Sequence, residues 1–140
     1  RRHLADVLAQ IAALSTAYRL DVANVFHAGD GNLHPLILFD AGRDGELQRA
    51  ERFGADILEA CVAAGGTVTG EHGVGVEKLG PMCSQFGPAE LATFHALKLA
   101  FDPAGLLNPG KAVPTLARCA DYGALRVHGG QLPHSHLPRF

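Results

Sequence analysis

The sequence lacks the features that mark membrane-spanning and nucleic-acid-binding proteins. No apolar run approaches the roughly 20 residues needed to cross a bilayer, and no charged-then-apolar leader opens the chain. Lys and Arg number 12 against 14 for Asp and Glu, a formal net charge of −2, so no positive field concentrates a polyanion. We therefore expect a soluble, cytoplasmic protein that does not bind nucleic acid.

Cysteine is also scarce. Cys61, Cys83 and Cys119 are odd in number, far apart in the chain and never in a C-x-x-C spacing. This pattern argues against a disulfide framework and against a zinc ribbon. The prediction is that all three thiols are reduced, as in a cytosolic protein.

What the chain does have is enough apolar material for one domain. With 140 residues and 47% hydrophobic content, it can bury a substantial core. It opens within a helical pattern, without an initiator Met or a preceding cap, so we expect it to be part of something longer.

The first half of the chain has clear periodic patterns. Apolar residues recur at three- and four-residue intervals over residues 4–18, which predicts an amphipathic helix. Residues 21–27 and 33–39 predict two strands joined by a turn-rich loop, with Pro35 marking a bulge or an edge. A second helix is expected from an N-cap at Asp44 to about Cys61, ended by Gly65-Gly66.

The second half is more interrupted. Residues 67–69 predict a short strand, and residues 76–86 predict short helical pieces. Pro88 suits the first position of a helix that extends to Phe101, where Asp102-Pro103 must end it.

These elements predict an α+β fold, an antiparallel sheet covered on one face by helices, because the helices are too few for a doubly wound sheet. Residues 1–112 are expected to form the domain and residues 113–140 an extended tail. The histidines of that tail are expected to be solvated; they are His128, His134 and His136.

Two histidines flank the loop of the predicted hairpin, in His27-Ala-Gly-Asp-Gly-Asn-Leu-His34. A hairpin can return one imidazole beside the other, within reach of a single metal ion. Glu71, in a Gly-flanked turn, offers a carboxylate as the third ligand. Two His and one carboxylate leave a position open, where the carboxylate and hydroxyl of a 2-hydroxy acid can chelate the metal.

His72 follows Glu71 directly and can point away from it toward a substrate. Imidazole is well suited to abstract a proton near neutral pH. Each histidine alone can equally be a polar residue at a strand end, and each Gly-rich loop only a turn. Together, the two motifs favour a shared polar site.

At these residues the sequence resembles the C-terminal domain of the FAD-linked oxidases of the vanillyl-alcohol-oxidase type, in particular their glycolate- and D-lactate-oxidising members. Three segments carry the resemblance: the His27 to His34 motif, Thr69-Gly-Glu-His-Gly-Val-Gly75, and Phe101-Asp-Pro-Ala-Gly-Leu-Leu-Asn-Pro-Gly-Lys111. They span most of residues 21 to 112 in family order.

The resemblance implies specific roles. His27, His34 and Glu71 would bind a divalent metal, zinc in particular, and His72 would be the catalytic base. Asn108 falls in a segment that returns toward the flavin.

The resemblance also implies partners. FAD would be held mainly by a separate N-terminal domain, and other subunits of a glycolate-oxidase-like complex could hold the protein at the inner membrane periphery. The fragment alone would be inactive. The alternative is a non-catalytic module, with a structural metal site or a subunit-docking role. A fourth protein ligand that closes the metal site would favour a structural role for the metal.

Overall fold

A computed structural model describes residues 1–115 and 118–119, and the chain divides into two compact units, Arg1–Glu71 and His72–Phe140. The first unit contains α1 (Leu4–Tyr18), β1 (Val22–His27), β2 (Asn32–Ile37) and α2 (Glu46–Ala63). The second contains α3 (Leu79–Gln85) and α4 (Pro88–Phe101). Most of the predicted tail, with its three histidines, lies outside the described residues.

The two strands form an antiparallel hairpin. Its register runs from Val22 opposite Ile37 to His27 opposite Asn32, without a bulge at Pro35. The turn is closed at the carbonyl of His27, which accepts hydrogen bonds from the amides of residues 30 and 31 at 3.1 and 2.9 Å. The predicted hairpin is therefore confirmed, and Pro35 lies on an edge strand of a two-stranded sheet.

The hairpin presents one face to the helices. Val22, Leu33 and Ile37 pack against a core of buried residues drawn mainly from α1 and α2, namely Val7, Ile11, Leu20, Ala50, Phe53 and Ile57. The other face is open in the first unit, where Val25 and Leu36 are 53% and 51% exposed. The expected α+β arrangement, with helices on one side of an antiparallel sheet, is thus confirmed.

The second helix does not begin as predicted. Its N-cap is Gly45, in the left-handed region with φ 75°, so the expectation that Asp44 caps it is wrong. Glu46 is the buried residue that organises this end. Its carboxylate accepts a hydrogen bond from the amide of Asp40 at 3.2 Å and one from Arg49 at 2.8 Å.

The predicted strand at residues 67–69 is also wrong, because this segment is irregular. Val68 is nonetheless 2% exposed. The apolar pattern of residues 67–69 therefore indicated burial and not strand pairing. β1 and β2 pair with each other, and the described residues form no further strand.

In the second unit, the helices follow the sequence pattern closely. The helical piece expected within residues 76–86 is α3, and α4 has the bounds that Pro88 and Asp102 predict. The amide of Gly87 donates to the Glu90 carboxylate at 2.7 Å, which stabilises the first turn of α4.

The prediction of three reduced thiols is wrong. Cys83 of α3 forms a disulfide with Cys119, with their Cα atoms 5.3 Å apart and a sequence separation of 36. Two cysteines that are distant in the sequence are therefore adjacent in the fold. Cys61 is a free thiol on α2, and burial raises its pKa.

A buried carboxylate fixes the turn that follows α4. Asp102 is 7% exposed and accepts hydrogen bonds from the amides of Leu106 and Leu107, both at 2.9 Å. The Lys98 ammonium donates to Asp102 and also to the Leu107 carbonyl at 2.7 Å. The hydrogen bond from Lys98 lowers the pKa of Asp102, and the two amides act in the same direction against desolvation.

This arrangement makes the turn sensitive to acid. Because the folded-state pKa of Asp102 is lowered, its contribution to stability is complete above the unfolded-state pKa and is lost as the pH falls through the folded value. In an NMR titration, the amide signals of Leu106 and Leu107 should shift as Asp102 is protonated. Asp102→Asn should abolish that shift, and Asp6→Asn, an exposed aspartate of α1, should preserve it. Amide signals of Leu106 and Leu107 that do not shift as Asp102 is protonated would contradict the proposed hydrogen bonding.

Candidate functional site

The three predicted metal ligands converge in the first unit. His27 ends β1, His34 lies in β2, and Glu71 lies in the irregular segment after α2. One oxygen of the Glu71 carboxylate is 3.1 Å from Nε2 of His34 and 3.9 Å from Nε2 of His27. One ligand atom from each residue lies within 4.8 Å of the others.

The strand register explains why the two imidazoles meet. His27 is opposite Asn32, and His34 is two residues further along β2. Because side chains alternate between the faces of a strand, both imidazoles emerge on the face that the helices leave open. Their rings meet edge to face, with centroids 5.3 Å apart and an interplanar angle of 89°.

The three ligand side chains differ in exposure. His34 is 20% exposed, Glu71 49% and His27 56%. In the first unit, the cluster thus rests on the hairpin through His34 and faces solvent through the other two. These three side chains are a group that could hold a metal ion, with two of them accessible to solvent.

Asn32 and Gly70 belong to the same constellation, which the sequence analysis did not recognise. The Asn32 side-chain nitrogen lies 3.5 Å from Nε2 of His34. A Cβ placed on Gly70 would lie 2.4 Å from the Asn32 side-chain oxygen. Gly70 is therefore required because the carboxamide lies directly against its backbone. The available signal was the position of Asn32, two residues before His34 on the same strand face.

His72 and Asn108 are not members of this cluster. Both are exposed residues of the second unit. Asn108 has a left-handed backbone, with φ 46°, and directly follows the turn that Asp102 and Lys98 hold. Their expected roles as base and as flavin neighbour stay predictions.

Comparison with known proteins settles the family. Residues 1–112 match the family described as FAD linked oxidases, C-terminal domain. The chain belongs to this family. The resemblance noted in the three sequence motifs is confirmed.

By name, the relatives are glycolate oxidase subunits and a D-lactate dehydrogenase. The chain is 62% identical over all 140 residues to the glycolate oxidase subunit GlcD of Escherichia coli K12, and covers 28% of it. It is 38% identical over 118 residues, 84% of the chain, to GlcD of Bacillus subtilis, and covers 25% of it. It is 35% identical over 112 residues, 80% of the chain, to the mitochondrial D-lactate dehydrogenase [cytochrome] of Arabidopsis thaliana, and covers 20% of it. It spans between 20% and 28% of the length of these three relatives.

No helix in the part of the chain that the structure describes combines the length and hydrophobicity needed to cross a membrane.

The contact between Gly70 and Asn32 gives a testable consequence. Gly70→Ala should destabilise the chain by about 1–3 kcal/mol, the usual cost of an added methyl that forces neighbours to move. The NMR signals of the Asn32 carboxamide and the His34 ring should shift as well. Gly29→Ala is the matched control, because its added methyl meets nothing within 4 Å. Equal thermal stability of the two variants would contradict this packing.

Proposed function

We propose that the chain is the metal- and substrate-handling C-terminal part of an FAD-dependent dehydrogenase of small 2-hydroxy acids, glycolate or D-lactate. The observation that carries the proposal is the convergence of His27, His34 and Glu71 in a member of the FAD-linked oxidase family. The names of the relatives, glycolate oxidase and D-lactate dehydrogenase, support the choice of substrate.

The cluster fits a divalent metal. Two imidazole nitrogens and one carboxylate oxygen are a donor set typical of catalytic zinc, which keeps three protein ligands and one open position. The ligand atoms are close enough to share one ion, since all lie within 4.8 Å of one another. Two of the three side chains are about half exposed, so the open position is accessible in the first unit.

The proposed reaction removes a proton and a hydride from the substrate and leaves a 2-oxo acid. A metal held by His27, His34 and Glu71 would supply Lewis acidity at the substrate hydroxyl, and an FAD held mainly by an N-terminal domain would supply the hydride acceptor. His72 takes the hydroxyl proton as general base. Through that metal, His27, His34 and Glu71 would orient the substrate, and Asn108 would lie toward the flavin.

The proposal also includes the partners of the chain and its location in the cell. The FAD-binding domain is the first partner, and other subunits of a glycolate-oxidase-like complex would hold the protein in the cytoplasm, peripheral to the inner membrane. The 140-residue chain alone is expected to be inactive, because the flavin supplies the oxidant.

A structural role for the metal is the competing interpretation. Structural zinc sites are closed by four protein ligands. Within residues 1–115 and 118–119, the cluster has three members. The open position favours the catalytic proposal.

The metal site is testable on the chain itself. We expect one Zn²⁺ or Co²⁺ per chain, with Co²⁺ giving visible absorption bands that Zn²⁺ removes. His34→Ala and Glu71→Ala should each weaken binding by at least about a hundredfold, since loss of a supporting residue alone costs roughly 10–100-fold. His3→Ala, an exposed histidine outside the cluster, should have no effect. Stoichiometric binding that survives both ligand substitutions would exclude this site.

The role of His72 is tested in the full-length protein that contains this chain. His72→Ala should lower kcat for dye reduction by glycolate or D-lactate by about 10²–10⁴-fold, the usual contribution of a general base. Flavin and metal content should be unchanged, and added imidazole should restore part of the rate. His3→Ala again serves as control. Undiminished turnover by His72→Ala would remove His72 from the mechanism.

A further inference from the structure

We infer that Asn32 is a substrate-binding residue, whose carboxamide nitrogen donates a hydrogen bond to a carboxylate oxygen of the acid held at the cluster. The inference rests on the proposed function and extends it to a residue outside the ligand set. It follows from the position of Asn32, the orientation of its carboxamide and the state of its neighbour His34.

Asn32 lies on the face of the hairpin that carries His27 and His34. It is the cross-strand partner of His27 and precedes His34 by two residues. Cross-strand partners and alternate residues share one face of a sheet. The carboxamide therefore emerges beside both imidazoles.

The orientation of the carboxamide is fixed by Gly70. A Cβ on Gly70 would lie 2.4 Å from the Asn32 side-chain oxygen but 3.2 Å from its nitrogen, so the oxygen faces the Gly70 backbone. The nitrogen faces the other way, 3.5 Å from Nε2 of His34. Packing thus orients the side-chain nitrogen of Asn32 toward the cluster, so the side chain does not have to change rotamer when a ligand binds.

His34 does not satisfy this donor in the working site. Its Nε2 atom lies 3.1 Å from the Glu71 carboxylate. When His34 donates to Glu71, that nitrogen carries a hydrogen, and when His34 binds a metal, its lone pair is engaged. In both states the Asn32 nitrogen has an N–H directed at the cluster and no acceptor on His34.

A carboxylate is the ligand chemistry that fits. It reaches the cluster through oxygen and offers a charged acceptor to a neutral donor, which makes a stronger hydrogen bond than a neutral acceptor does. One such bond typically changes affinity by about tenfold to hundredfold. Asn32 would therefore affect the binding of the acid and not the binding of the metal.

The experiment uses the chain loaded with Zn²⁺ and oxalate as the probe, a dianion that offers two chelating oxygens. Calorimetry should show oxalate affinity about tenfold to hundredfold lower for Asn32→Ala than for wild type, with Zn²⁺ affinity within about threefold. Asn32→Asp keeps the shape and replaces the donor by a like charge, so it should bind oxalate more weakly still. Asn24→Ala and Asn24→Asp are matched controls, because Asn24 is exposed on the opposite face of the same hairpin.

The outcomes separate the two proposals. Wild-type oxalate affinity in either Asn32 variant would overturn the substrate contact and leave the metal site intact. A parallel loss of Zn²⁺ and oxalate binding in Asn32→Asp would also overturn it, because Asn32 would then only position the ligands. Absence of Zn²⁺ binding by the wild-type chain would overturn the proposed function together with this inference.

Discussion

The register of the hairpin is the constraint on which the rest of the site depends. It places His27 opposite Asn32 and Val25 opposite His34, so one face carries the polar cluster while the other packs on α1 and α2. A slip of one residue would exchange the faces, burying imidazoles in the core and exposing Val22 and Ile37. The apolar core therefore determines the register, and the register determines how the two imidazoles of the cluster meet.

Much of this arrangement could be predicted because it is encoded in local patterns. The spacing of apolar residues over 4–18, and Pro88 with Asp102 around α4, specify helices whose ends the structure reproduces. His27 and His34 meet because a short loop closes a hairpin, which is also a local property. Glu71 was predicted as a third ligand from its position in a Gly-flanked turn, and its carboxylate lies 3.1 Å from Nε2 of His34.

The remaining features depend on contacts between distant residues. Cys83 and Cys119 are 36 residues apart, and no spacing rule indicates which elements the fold brings together. Residues 67–69 have the composition of a strand but no strand to pair with, so tertiary context overrides propensity. The packing of Asn32 on Gly70 joins residues more than thirty positions apart in sequence, and the lack of room for a methyl there arises only in the folded structure.

The polar cluster and exposed apolar side chains share one face of the hairpin. Glu71 and His27 are about half exposed, and solvent screens the charges of side chains at such positions. Val25 and Leu36 lie on the same face, and both are more than half exposed. Excluding water from this face would bury their apolar surface and strengthen every charge interaction at the cluster at once. The register that places the imidazoles on this face therefore also places there the apolar side chains whose burial would strengthen the charge interactions of the cluster.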